Sequence, residues 1–322
     1  MNYTNASEIN VYSYLSPDPL DSDSGIESEF LEFLPGYDGS EMKEDEDEHP
    51  IYRQQNIEVY ERIEKYCVDA FRKGLDNMFP LLKDHIFRHI QIAIDLFENV
   101  LSSRYALACY HHGLSEPAKG KYIFQLHHTL FLKYLAEMEN KYVPDLRDTF
   151  TWEHEILHLL DHEEISKSSI LKHSSSPDER YKSYLLKYRE EGIADLYYLL
   201  HGGFDTYKSI EEATSIFLIK SENAKSTLND VDHMDVPSIK DLFSGLSFYE
   251  IGPWLILDAL KELDGGYHID KINTAIDCLA SKKEIENDLI IEIVRLALRV
   301  KAEFFLDYVT KLNKEIICPS LN

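Results

Sequence analysis

Several features that mark other classes of protein are scarce in this chain of 322 residues. It contains four cysteines, none of them in a CxxC pair, which argues against a zinc ribbon and fits reduced thiols. No apolar run approaches the roughly 18 residues that a membrane helix needs. The N-terminus also lacks a basic stretch followed by an apolar one. We therefore expect a cytoplasmic protein that contacts no membrane, and these patterns leave delivery to another compartment or to a host open.

Basic residues are scarce as well. The chain has 33 Lys and Arg residues against 58 Asp and Glu residues, a formal net charge of −25. Residues 1–50 hold 14 of these acids and one base, Lys43, and so carry a net −13. The other 272 residues hold 44 acids and 32 bases, a net −12. An acidic surface repels phosphate backbones, so a nucleic-acid partner is not expected.

Residues 1–52 have the composition of a disordered acidic tail, because like charges at this density repel one another. The run Glu44–Glu48 is entirely acidic. The segment Asp23–Ser28 resembles the DSGxxS motif that ubiquitin ligases bind after phosphorylation, although a plain solvated tail explains it more simply. The tail is also the candidate element for binding a protein partner.

Downstream of the tail the apolar spacing becomes helical and predicts a helix from about residue 55 to about 82, interrupted near Pro80. Two segments rich in β-forming residues, Tyr105–Tyr110 and Tyr122–Leu126, predict neighbouring strands, and His89–Ile94 predicts a less clear third. From about residue 128 onward helical spacing dominates, including one long helix from about 283 to about 313. These patterns predict a body that is mainly α with a small sheet.

One short segment, Thr151–Leu160, contains the pattern HExxH at His154, Glu155 and His158. Residues four apart lie on one face of a helix, about 6 Å from one another, so the two imidazoles can converge on one zinc ion. Glu155 follows the first histidine and can reach a metal-bound water to act as its general base. The segment therefore predicts a catalytic zinc site.

Two histidines leave zinc underbound, since catalytic zinc sites usually have three protein ligands and a water. His162 continues the four-residue spacing, but in a straight helix it lies about 12 Å along the axis from His154, too far to share an ion. Glu191 is the better candidate for the third ligand. It precedes Asp195 by one helical turn, which suits a carboxylate ligand followed by an acid that orients a zinc-bound histidine.

Taken together, these motifs resemble those of the gluzincin metallopeptidases, the thermolysin-like and aminopeptidase N-like groups. In the first group the ligand glutamate opens an ExxxD pattern, which Glu191 and Asp195 match. In the second group it precedes a glycine, as Glu191 precedes Gly192. The resemblance implies one Zn²⁺ ion with three protein ligands, His154, His158 and Glu191. The interval from His158 to Glu191 is longer than in typical aminopeptidase N-like proteins, which leaves the subfamily open.

A further block, Phe248–Leu255, resembles the aminopeptidase N-like segment whose tyrosine donates its phenol to the tetrahedral oxyanion. Tyr249 is the matching residue, and Tyr267 and His268 are the alternatives for this role. The resemblance also implies an edge strand that packs on the zinc-binding helix and pairs with an extended substrate. Its candidate is Tyr122–His128, although an ordinary sheet strand explains these residues equally well.

The expected fold class is therefore α+β, mainly α, with a small mixed or antiparallel sheet whose edge strand packs on the HExxH helix. Residues 53–205 are expected to hold the N-terminal helices, the sheet and the zinc-binding helices. A helical C-terminal lobe over residues 206–322 is expected to complete the active site.

The predicted function is a zinc-dependent metallopeptidase that hydrolyses peptide or protein substrates, with Glu155 as general base. An endopeptidase is favoured over an aminopeptidase, because Ala136–Asn140 imitates the amine-binding Gly-x-Met-Glu-Asn pattern but lacks its leading glycine. The alternative function is that of a catalytically inactive, metallopeptidase-like interaction or regulatory protein that binds a partner through the acidic tail.

Overall fold

A computed structural model of the chain describes residues 11–15, 57–82, 90–94, 108–112, 122–126, 137, 140–141, 143, 146–172, 174, 176–203, 209–230 and 247–317. For some of these residues only the backbone is described. The chain forms two compact units, Met1–Ile156 and Leu157–Asn322. The domain boundary expected after residue 205 stays a prediction.

In the first unit a four-stranded sheet has the spatial order β1-β2-β4-β3. Strand β1 pairs in parallel with β2, β2 pairs in parallel with β4, and β3 and β4 are antiparallel. The four strands are β1 (Val11–Leu15), β2 (Ile90–Ile94), β3 (Ala108–His112) and β4 (Tyr122–Leu126). Strand β1 lies within the expected tail, whose other residues, including the DSGxxS segment, lie outside the described residues.

The expected fold class, α+β with an edge strand packed on the HExxH helix, is wrong. Of the residues whose side chains are described, 85% are helical and none lies in a strand. The candidate edge strand, β4, lies between β2 and β3, so its backbone has a neighbouring strand on both sides. The short strands pair with one another, whereas the HExxH helix packs through apolar side chains on another helix. The described part of the chain is that of a helical protein.

The long helix of the first unit, α1 (Ile57–Leu82), runs on through Pro80. It buries a stripe at helical spacing that includes Phe71, Leu75 and Met78. The ring of Phe71 meets the ring of Trp152 edge to face, with 5.2 Å between the ring centroids. Trp152 belongs to the HExxH helix, so this contact fixes the start of that helix.

Most of the remaining described residues form helices. Two of these, α2 (Leu146–Thr149) and α3 (Thr151–Leu160), precede the others, and the division between the units falls within α3. The helices of the second unit are α4 (His162–Lys172), α5 (Pro177–Ala194), α6 (Leu196–Leu200), α7 (Ile210–Asp230), α8 (Ser247–Glu262), α9 (Ile269–Ala280), α10 (Asn287–Ala297) and α11 (Ala302–Ile317). None of the described helices is both long enough and apolar enough to span a bilayer.

The core of the second unit is the crossing of α5 and α8, which brings two glycines together. A Cβ atom added at Gly192 would lie 2.6 Å from the carbonyl carbon and oxygen of Gly252. One added at Gly252 would lie 2.5 Å from the carbonyl oxygen of Tyr188. Only glycine permits such an approach of two backbones. The crossing therefore fixes the position of Glu191, which precedes Gly192, relative to α8.

A buried arginine ties three parts of the second unit together. The guanidinium of Arg189 donates two hydrogen bonds to Asp161, of 2.6 and 2.7 Å, and Nε donates one of 2.5 Å to the carbonyl oxygen of Val300. Asp161 directly follows α3, whereas Val300 lies between α10 and α11. The single helix expected from about 283 to about 313 is therefore two helices, and the carbonyl group freed at the break accepts a bond from Arg189.

Candidate metal site

The HExxH pattern lies on α3, as its spacing predicts. Trp152, Ile156 and Leu157 are buried and anchor the helix, while His154 and His158 are half-buried one turn apart. Asn77 of α1 donates a hydrogen bond of 2.7 Å to the buried Glu153. The apolar and polar contacts of the neighbouring residues thus hold the two imidazoles on the remaining face of the helix.

Three side chains converge at this face. One ligand atom each from His154, His158 and Glu191 lies within 4.8 Å of the other two. Nε2 of His158 is 3.4 Å from Oε2 of Glu191. Two ligand atoms at about 2.1 Å from a tetrahedral zinc ion stand about 3.4 Å apart, so this pair already has the separation that such an ion requires.

The neighbouring acid of the pattern, Glu155, is buried, with 5% of its surface exposed. Its Oε1 atom lies 3.9 Å from Nε2 of His154. A carboxylate at this distance from a nitrogen that binds a metal ion can reach a water molecule on that ion. Its placement fits the predicted role of general base.

Glu191 is positioned by α5, which begins at Pro177 with two acids in its first turn, as a helix N-terminus favours. The last turns of the helix are almost wholly buried. Lys187, one turn before Glu191, forms a salt bridge with Oε1 of Glu191 and lies 3.6 Å from Oε2 of Glu190. The side chain of Lys187 is 26% exposed, so most of its surface is buried at the edge of the site.

Neighbouring groups stabilise the positive charge of Lys187. Burial lowers the pKa of its ammonium group, but the charges of Glu191, Glu190 and Tyr249 outweigh this effect and raise the pKa above its ordinary value. The sequence motifs do not include Lys187. The signal was present as a lysine four residues before Glu191, but such pairs are common on solvated helix surfaces.

Asp195 is buried and ends α5. Its backbone N–H donates a hydrogen bond of 2.8 Å to the carbonyl oxygen of Glu191. The two residues are thus one turn apart, as the ExxxD spacing requires. The role of Asp195 as the acid that orients a zinc-bound histidine stays a prediction.

Tyr249 lies in the first turn of α8, half-buried and near enough to Lys187 to affect its charge. The alternatives, Tyr267 and His268, follow the other end of this helix, about 20 Å away by helix length. Tyr267 is 83% exposed, and its ring packs against that of His268. Tyr249 is therefore the better placed of the three phenol or imidazole candidates.

His162 starts a separate helix, because α3 ends in a turn at Asp161. It does not belong to the group of converging ligand atoms. Most of the amine-binding look-alike, Ala136–Asn140, lies outside the described residues.

Acids outnumber bases among the buried charged residues that the structure describes. Eight acids are buried against two arginines. These acids are Asp148, Glu153, Glu155, Asp161, Glu164, Glu190, Glu191 and Asp195. Buried carboxylates are costly unless they are paired, bonded or coordinated to a metal. Two imidazoles and one carboxylate are also the donor set of many catalytic zinc sites, so the residues present fit a zinc ion.

Comparison with known proteins adds no family. No protein-family model matches the chain, and comparisons with curated proteins and with solved structures return no match either. The resemblance to the gluzincins thus rests on the motif residues and remains a prediction.

Proposed function

We propose that this protein is a zinc-dependent metallopeptidase, as the gluzincin-like motifs predict. The observation that carries the proposal is the convergence of His154, His158 and Glu191, whose ligand atoms lie within 4.8 Å of one another. Glu191 follows His158 by 33 residues. A spacing within one helix brings two histidines together by itself, whereas the carboxylate on a second helix requires the fold.

Each residue of the site has a distinct task in peptide hydrolysis. His154, His158 and Glu191 would hold one Zn²⁺ ion, which would supply a Lewis acid for the carbonyl group and for the attacking water. Glu155 accepts the proton of that water and passes it to the leaving amine. Tyr249 donates its phenol hydrogen to the oxygen of the substrate carbonyl as negative charge develops on it.

We place an endopeptidase before an aminopeptidase. An aminopeptidase needs acidic groups that hold the free amine of the substrate, and the sequence that imitates such an element lacks its glycine. The substrate is therefore proposed to be an internal peptide bond of a peptide or protein.

The decisive experiment compares the wild-type protein with Glu155→Gln in the digestion of a peptide library. The amide cannot accept a proton, so the rate should fall by at least about 100-fold, while the zinc content measured by elemental analysis should stay near one ion per chain. Glu163→Gln is the matched control. Glu163 is exposed on α4, so this variant should cleave the library at the wild-type rate.

Equal cleavage by the wild type and Glu155→Gln would contradict the proposed mechanism. Zinc binding without any turnover by the wild type would favour the alternative function instead, that of an inactive metallopeptidase-like interaction protein. That alternative predicts loss of partner binding when residues 1–50 are removed.

A further inference from the structure

The ligand carboxylate of Glu191 has two oxygens that face different partners. Oε1 is in a salt bridge with the ammonium group of Lys187, whereas Oε2 faces Nε2 of His158 at 3.4 Å. Both contacts exist in the same arrangement of side chains. One carboxylate oxygen thus faces the ammonium group of Lys187, and the other faces the candidate metal site.

A lysine beside a metal ligand can have two opposite effects. As a competing cation, it would occupy the ligand and weaken metal binding, so its removal would tighten binding. As a positioning group, it would orient the ligand, so its removal would weaken binding. The separation of Oε2 and His158 favours the second effect, because the ligand atoms have converged while Lys187 is in place.

We propose that Lys187 is a positioning residue that holds Glu191 as a ligand through Oε2 alone. This inference rests on the proposed zinc site and names a residue that the motif resemblance does not include. By engaging Oε1, the ammonium group prevents both oxygens from turning to the ion, which keeps a coordination position free for water or substrate. Groups that orient metal ligands typically change metal affinity by 10- to 100-fold when they are removed.

The geometry of α5 supports this assignment. Lys187 precedes Glu191 by four residues, so the two side chains lie on the same face of the helix one turn apart. The Gly192–Gly252 crossing fixes the backbone on the next turn. Glu190, at 3.6 Å from the ammonium group and 3% exposed, is a second carboxylate that keeps Lys187 at this position.

The test is a titration of metal-free protein with zinc in competition with a chromophoric chelator, together with the absorption spectrum of the Co²⁺ form. Lys187→Met should bind zinc at least about 10-fold more weakly than the wild type. Its Co²⁺ spectrum should also change, because Glu191 then offers both oxygens and raises the coordination number. Lys187→Arg, which retains a cationic donor, should stay closer to the wild type in both measurements.

Lys182→Met is the matched control for charge. Lys182 is exposed on the same helix, so its replacement removes one positive charge away from Glu191 and should retain the wild-type zinc affinity and Co²⁺ spectrum. Circular dichroism shows whether Lys187→Met folds. If it does not, the same measurements are made on the double variant Lys187→Met, Glu190→Gln, in which one carboxylate that would lose its cationic partner is absent.

Zinc binding by Lys187→Met that is as tight as or tighter than that of the wild type would overturn the inference, as would an unchanged Co²⁺ spectrum. The proposed function fails separately. If the wild type binds no zinc, the metal site and this inference are both wrong, whereas zinc binding that is lost in Glu191→Gln but unaffected in Lys187→Met removes only the role of Lys187.

Discussion

Carboxylates of the same type have different tasks in this protein because their partners differ. Glu155 lies beside the imidazole of His154, and Glu191 faces the imidazole of His158 and the ammonium group of Lys187. Glu164 instead accepts a hydrogen bond of 2.9 Å from the backbone N–H of Ala302, the first residue of α11. It also accepts one of 2.8 Å from Lys167. A carboxylate at a helix N-terminus stabilises the helix through its unsatisfied N–H groups and its dipole.

We predict that Glu164→Gln lowers the free energy of unfolding by about 1 kcal/mol at pH 7, because a charged acceptor is lost at the start of α11. Burial raises the pKa of Glu164, but the bonds from Lys167 and Ala302 outweigh it, so the pKa lies below its ordinary value of 4.5. The stabilisation is therefore present above that value and is lost as the pH falls through the lowered pKa. The difference in the free energy of unfolding between the wild type and Glu164→Gln should therefore shrink as the pH falls. Urea unfolding of both proteins between pH 7 and pH values below about 4 measures it.

Glu303→Gln is the control for this effect. Glu303 lies in the first turn of the same helix and near the same lysine, but its side chain is 78% exposed. Its replacement should change stability less at pH 7. If the difference in the free energy of unfolding between the wild type and Glu164→Gln stays constant down to low pH, the charge of Glu164 does not cause the stabilisation.

Individual residues of the site differ in how far the sequence predicts them. His154, Glu155 and His158 follow from the helix alone, because a spacing of four residues fixes their geometry. Glu191 lies on another helix, and only the motif resemblance pointed to it rather than to Glu190. Lys187 was not predicted, because local spacing cannot show which carboxylate of a helix faces a second helix.

At the scale of helices and strands, the crossing of α5 and α8 places the site. Two backbones approach so closely at Gly192 and Gly252 that no side-chain atom fits between them. Both glycines lie within the sequence motifs, Gly192 after Glu191 and Gly252 in the block Phe248–Leu255, but the motifs do not predict that the two meet. Their contact explains in physical terms why a glycine follows Glu191 and why one lies three residues after Tyr249.

We predict that Gly192→Ala destabilises the protein by at least about 2 kcal/mol, because the added carbon would meet the backbone of Gly252 rather than a movable side chain. The gain in helix propensity of about 1 kcal/mol offsets only part of this loss. Urea unfolding of the metal-free protein measures it.

Gly74→Ala offers the comparison within another helix. There the nearest contact of the added carbon is Cβ of Trp152 at 3.0 Å, which is longer than the 2.6 Å at Gly192. The loss of stability should be smaller than at Gly192. If Gly192→Ala were as stable as the wild type, the helices would have to separate without cost, and the glycine contact would have no structural importance.

The secondary structure was predictable where periodicity is strong and local. The helix predicted from about 55 to about 82 corresponds to α1, and the segment Tyr122–Leu126 is a strand. The order of strands was not predictable, since pairing between distant segments leaves no local pattern. The break between α10 and α11 was missed because the apolar spacing continues across Val300, whose carbonyl group has its partner 111 positions earlier.

For the whole molecule, the acidic composition has a different meaning in its two parts. Residues 1–50 account for −13 of the net charge of −25. In the described part of the chain eight acids are buried, and one of them, Glu191, offers a ligand atom to the candidate metal site. Binding of a divalent ion by the folded chain but not by the unfolded one should therefore stabilise the fold.

We predict that zinc at about 100 times its dissociation constant stabilises the protein by about 2.7 kcal/mol and raises the melting temperature by about 4 °C. Differential scanning calorimetry with zinc and with a chelator measures the shift. His158→Ala should abolish it, because one of three ligands is lost.

His201→Ala serves as the matched histidine control. His201 is half-buried and outside the group of ligand atoms, with Nδ1 at 2.8 Å from the carbonyl oxygen of Tyr197. It should retain the zinc-induced shift. The same shift in His158→Ala as in the wild type would place the bound zinc elsewhere.

The bonds of Arg189 also have a consequence for the order in which the protein is made. Its Nε group donates to Val300, 111 residues further along the chain, while its other nitrogens bind Asp161 at the end of α3. At about 5 to 20 residues per second, the ribosome reaches Val300 on the order of ten seconds after Arg189. During this interval the helix that carries Glu191 lacks one of its buried acceptors. The helix that carries Glu191 thus obtains this buried hydrogen bond only after Val300 has been made.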